Sequence, residues 1–129
     1  MMHGYTYSGH PLAAAAVIGT MDTIQDEGIY ENAAEKIGVL ETAVHGLKDA
    51  AHVVDIRNCG LLAGIQLEEF PNSDDPQRLP REASYELFRR GVMVRYTGPN
   101  LYLSPPLIIN DSQIDQIMTS IRDVLKSLS

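Results

Sequence analysis

The sequence predicts an α+β domain: a small, mainly antiparallel sheet covered by helices, with elements in the order ααββαββα. Three observations lead there. Apolar residues recur at helical spacing near both ends and around residues 80–90, apolar runs with a period of two occur as two closely spaced pairs, and each pair is joined by a turn too short for a crossover helix. Short connections of that kind join antiparallel neighbours, so the helices are left to cover the sheet.

The elements follow in order. From Pro11 to about Glu27 an Ala-rich stretch places Val17, Ile18, Met21 and Ile24 at helical spacing, with Gly28 as its stop, and reads as a mostly buried helix. A second helix, from about Ile29 to Asp49, carries Ala33, Ile37, Leu40, Val44 and Leu47 on one stripe and charged residues on its other sides. The runs HVVDIRN (52–58) and LLAGIQLE (61–68) flank a turn at Cys59–Gly60 and predict a hairpin. EFPNSDDPQRLP (69–80), broken by Pro71, Pro76 and Pro80, reads as a surface loop. Helix returns from about Pro80 to Arg90, with Ala83, Leu87 and Phe88 inward and Gly91 closing it. Strands at 92–96 and 101–105 flank the turn TGPN, and Asn110 with Gln113 forms a capping box that opens a last helix. Its apolar face is Ile114, Ile117, Met118, Ile121, Val124, Leu125 and Leu128.

Length and composition narrow the functional classes. At 129 residues with 44% hydrophobic content the chain can bury one core unaided. A formal charge of −7 without Lys/Arg clusters argues against a nucleic-acid surface or a membrane-bound polybasic patch. Cys59 is the single cysteine, which excludes an internal disulfide, favours a reducing, cytoplasmic compartment and is expected as buried packing. No apolar run approaches the ~20 residues of a membrane span. The densest chemistry begins at His3, directly after Met1 and Met2, which suggests a piece of something longer.

Two stretches could carry function. HGYTYSGHP (3–11) offers Ser8 and His10, but a serine nucleophile needs an oriented base and an oxyanion hole that proximity in sequence does not supply. Pro11 suits the first turn of a helix, so the segment reads as a helix entrance, where free N–H groups and the positive end of the macrodipole suit an anion such as phosphate. Simple capping by Ser8 or Gly9 is the plainer alternative and the one the residues alone favour. In GVMVRYTGPNLYLSPPLII (91–109), strand alternation sends Met93 and Arg95 to one face and Val92, Val94 and Tyr96 to the other. An arginine leaving an apolar strand must find an anion or water: a substrate carboxylate suits its planar fork, while an internal pair with one of the 17 acidic residues is what composition alone favours.

Together HGYTYSGHPLAAAA, VVDIRNCGLLAGIQLE and RRGVMVRYTGPNLYLSPPLII, in this order, resemble the C-terminal part of class III, pyridoxal-phosphate-dependent aminotransferases, in particular the omega-amino acid:pyruvate (beta-alanine:pyruvate) branch. The resemblance covers essentially the whole chain. It implies the C-terminal small domain of fold type I enzymes over residues 11–129, preceded at 1–10 by a loop from an active-site and dimer interface. It implies that Thr6 reaches the cofactor phosphate of a neighbouring subunit, that Tyr5 lines the same site, and that Arg95 pairs with the substrate carboxylate. With the resemblance included, the functional readings of Thr6 and Arg95 outweigh capping and internal pairing. No role carries over to His3, His10, Arg57 or Cys59. The Schiff-base lysine and the rest of the cofactor cradle belong to a large domain that would precede His3, and nothing around Lys36, Lys48 or Lys126 matches that lysine's motif. The expectation is therefore a chain that is inactive alone, binds no pyridoxal phosphate stably, and associates with itself or with a missing large domain. The competing expectation is a stand-alone module that binds a partner or an anion.

Overall fold

The computed structural model describes residues 4–69 and 74–128. Its elements are α1 (Pro11–Asp26), α2 (Ile29–His45), β1 (Val53–Cys59), β2 (Leu62–Leu67), α3 (Arg78–Arg89), β3 (Arg95–Thr97), β4 (Asn100–Leu103) and α4 (Asp111–Ser127). The expected order ααββαββα is observed, and the four strands form one antiparallel sheet in the order β1-β2-β4-β3. His3 and Pro71 lie outside the described residues.

Each hairpin closes locally, and a non-local pairing of β2 with β4 joins the two into one sheet. One face of that sheet supplies Ile56, Ala63, Ile65, Leu67, Leu101 and Leu103 to the core, where they meet Leu40 and Val44 of α2, Leu79, Ala83 and Leu87 of α3, and Ile114, Ile121, Val124 and Leu125 of α4. The capping box at Asn110 is present: its side chain accepts from the Gln113 N–H at 3.0 Å while Gln113 Oε1 accepts from the Asn110 N–H at 3.0 Å. His52 holds a left-handed φ of 65°, and its ring bridges Glu68 Oε1 (2.5 Å) and the Leu128 carbonyl (2.6 Å), tying the end of α4 to the start of β1.

Several boundaries and burials depart from expectation. Helix α2 stops at His45 rather than Asp49, because Gly46 is a poor helix former and residues 47–50 tighten into successive turns. Helix α3 starts two residues earlier than Pro80, which sits in the first turn where its missing N–H costs nothing. Of the expected strand 92–96, residues 95 and 96 are paired, and the Val94 carbonyl accepts from the Ser84 hydroxyl instead of from a strand. Phe88 is exposed rather than inward: Leu79, Ala83 and Leu87, spaced four apart, define the buried stripe of α3, and Phe88 lies a hundred degrees off it. Cys59 is exposed as well, because β1 alternates Asp55, Arg57 and Cys59 outward about inward Ile56.

The largest departure is α1. It was expected to be mostly buried, yet none of its residues is buried, and Val17, Ile18 and Met21 stand 57–64% exposed. Among the described elements, α1 packs mainly against α2.

Candidate functional site

The loop before α1 is built from two consecutive turns. The Ser8 N–H donates to the Tyr5 carbonyl at 2.9 Å and the His10 N–H to the Tyr7 carbonyl at 3.1 Å, with Gly9 at a φ of 75° in the second. Capping falls to His10, not to Ser8 or Gly9: its Nδ1 accepts from the Ala13 N–H at 3.4 Å. That occupies His10, which removes the basis for pairing it with Ser8 as a base. Pro11 has no N–H and Ala14 bonds to the His10 carbonyl at 2.9 Å, so of the first helical N–H groups Leu12 alone has no partner among the described residues. The helix end is thus a weaker anion site than the sequence suggested.

Thr6 and Tyr5 sit together on the first turn. Both are exposed, Tyr5 at 70%, and the Thr6 hydroxyl has no hydrogen-bond partner among the described residues. The Tyr5 and Tyr7 rings meet edge to face with centroids 6.3 Å apart, which stiffens the turn that presents Thr6. One free hydroxyl and an aromatic wall fit the rim of a phosphate site. They do not amount to a cradle.

Arg95 is placed by two pins. After α3, Gly91 at a φ of 81° closes a Schellman motif in which the Val92 N–H reaches the Leu87 carbonyl at 2.9 Å and the Gly91 N–H reaches Phe88 at 3.0 Å. Two residues on, the Ser84 hydroxyl donates to the Val94 carbonyl at 3.0 Å. Val92 and Val94 are buried while Met93 and Arg95 point outward, as alternation required. On edge strand β3, Arg95 pairs in register with Tyr102. Among the described residues its guanidinium has neither an ion-pair partner nor an aromatic ring to stack on, so the internal pair that composition favoured is not formed. No hydrogen bond or ion pair links Arg95 to the turn that carries Thr6.

The remaining candidates are occupied or plain surface. Arg57 contacts Asp55 at 3.2 Å and donates to Gln66 Oε1 at 3.3 Å. Lys36 lies 2.8 Å from Asp111 Oδ1, a hydrogen bond that holds its ammonium above the ordinary lysine value and so opposes use as a nucleophilic amine. Lys48 and Lys126 are exposed, the former in the turns after α2 rather than on a helix. No group of three potential metal ligands occurs among the described residues, and no helix there is long and apolar enough to cross a membrane.

The family profile for class III aminotransferases matches residues 1–125. The chain belongs to the class III aminotransferases. It is 44% identical over 125 residues to an omega-aminotransferase of Caulobacter vibrioides, covering 97% of this chain and 28% of that protein. To a beta-alanine–pyruvate aminotransferase of Pseudomonas aeruginosa it is 35% identical over 127 residues, again with 98% and 28% covered. A transaminase solved with L-alanine superposes with a TM-score of 0.89 at 31% identity, over 97% of this chain and 30% of the other. This class III chain thus spans about 28% of the length of the curated relatives it matches. Pyridoxal phosphate is the cofactor of the class III family.

Proposed function

We propose that this chain is the C-terminal small-domain part of an omega-aminotransferase that moves an amino group from an amine or omega-amino acid to pyruvate. The observation that carries the reading is the outward guanidinium of Arg95, which has no ion-pair partner among the described residues and starts from a strand whose backbone is pinned. Its planar fork holds the carboxylate of the acid substrate through two parallel hydrogen bonds and so orients the acid for transfer. The Thr6 hydroxyl would help hold the cofactor phosphate of a neighbouring subunit, and the Tyr5 ring would wall that site against water. The cofactor supplies the electron sink when bound. The anchoring lysine is assigned to the part of the relatives that this chain does not span, since Lys36 is held as an ammonium by Asp111. Residues 1–10 act as an interface loop and 11–129 as the small domain.

Two measurements test this. The purified chain given pyridoxal phosphate shows no stoichiometric visible band of lysine-bound cofactor and makes no alanine from beta-alanine and pyruvate. A band abolished by Lys36→Ala, Lys48→Ala or Lys126→Ala overturns the assignment. The reading frame upstream of Met1 is expected to encode the large domain; a genuine start site there favours a stand-alone binding module instead.

Self-association is the second consequence. Val17, Ile18 and Met21 share one uncovered face of α1, with Leu12 exposed on the opposite side and Tyr5 and Tyr7 exposed before it. Light scattering at high concentration is expected to give at least twice the monomer mass, with Ile18→Asp reducing it. A monomeric mass throughout would count against α1 as an interface.

A further inference from the structure

We propose that Gly64 and Tyr102 set the freedom of Arg95, and with it the preference of the site for carboxylate-bearing substrates. The proposal rests on the reading of Arg95 as the carboxylate fork and adds two residues that touch no substrate.

The sheet register carries it. Gly64 of β2 is paired with Arg57 of β1 on one side and with Tyr102 of β4 on the other, and Tyr102 in turn with Arg95 of β3, so the four form one row across the sheet, with Arg57 held by Asp55 and Gln66. Directly paired residues share a face, and theirs is the face opposite the core, where Tyr102 is 43% exposed. A Cβ built on Gly64 would meet Tyr102 Cε1 at 3.7 Å and Cδ1 at 3.8 Å. The ring therefore lies down over β2, in the space that a side chain at position 64 would occupy. It leans away from Arg95, consistent with a guanidinium that stacks on no ring among the described residues. The φ of Gly64 is not in the left-handed region, so the backbone does not require glycine here. Glycine inside a strand weakens it and marks close approach, and the ring is what approaches.

The consequence is steric. With the ring over β2, Tyr102 leaves Arg95, exposed on edge strand β3, room to swing between an acid and a substrate without a carboxylate. A methyl at position 64 is accommodated at ordinary contact distance. Larger side chains have no room beneath the ring, so they stand Tyr102 up into the volume that Arg95 sweeps. Valine suits the strand backbone better than glycine does, so the substitution acts on the ring and not on the fold.

The test uses the complete aminotransferase, with pyruvate and a carboxylate-free aldehyde compared as amino acceptors. Gly64→Ala is expected to match the parent. Gly64→Val and Gly64→Leu are expected to lower kcat/KM for pyruvate about tenfold, the loss of one of two charge-assisted hydrogen bonds, through KM and with the aldehyde nearly unaffected. Tyr102→Ala added to Gly64→Val is expected to restore pyruvate use, whereas Tyr102→Phe alone matches the parent because the hydroxyl has no partner among the described residues. The proposal is overturned if Gly64→Val and Gly64→Leu leave pyruvate use unchanged, if both acceptors decline together, or if the double variant folds without recovery. Arg95→Ala separates the two levels: if it leaves the pyruvate-to-aldehyde ratio unchanged, the fork reading itself fails, and if it collapses the ratio while Gly64→Val does not, only the present proposal does.

Discussion

Arg95→Ala is expected to leave the chain folded and to lower kcat/KM for pyruvate by about a hundredfold or more in the complete aminotransferase. The size follows from two charge-assisted hydrogen bonds at about 1.5–3 kcal/mol each, with 1.4 kcal/mol per tenfold. The unchanged fold follows from its surroundings: an exposed guanidinium without an ion-pair partner among the described residues strands no carboxylate when it is removed. Thermal unfolding of Arg95→Ala, and of Thr6→Ala by the same reasoning, should stay within about 1 kcal/mol of the parent. A buried structural pair would instead cost roughly 3–5 kcal/mol. A large stability loss together with an unchanged pyruvate rate would remove Arg95 from the site.

Ile121→Ala is expected to destabilise the chain by about 2–5 kcal/mol, because it empties a fully buried position where α4 meets the rest of the core. Against a total of about 5–15 kcal/mol for a domain of this size, that lowers Tm on the order of 10 °C. The informative comparison is Ile18→Ala, the same chemical change at a position 61% exposed on α1. In dilute solution it should change stability by no more than about 0.5 kcal/mol. Equal losses at the two sites would mean that α1 is packed against the body of the isolated chain, contrary to the fold described above. At concentrations where the chain associates, Ile18→Ala should instead weaken association.

What the sequence by itself determined was local. Helical and strand periods identified all eight elements in order, the inward faces of α4 and of residues 92–96, the capping box at Asn110 and the glycine stop at Gly91, because each depends on neighbours within a few residues. The three spaced motifs also carried the family, and they named Thr6, Tyr5 and Arg95 as candidates. The tertiary structure decided what those patterns meet. Periodicity shows that α1 and Phe88 are apolar, but not whether the same chain covers them, and here it does not. Composition offered Arg95 a choice of acidic partners, and none of the described ones lies within reach. Above all, the pairing of β2 with β4 joins residues nearly forty positions apart, so the row Gly64, Tyr102, Arg95 exists only once the sheet has formed. The reading of LLAGIQLE as a strand did not single out Gly64; which ring approaches it is set by long-range register that no local pattern encodes.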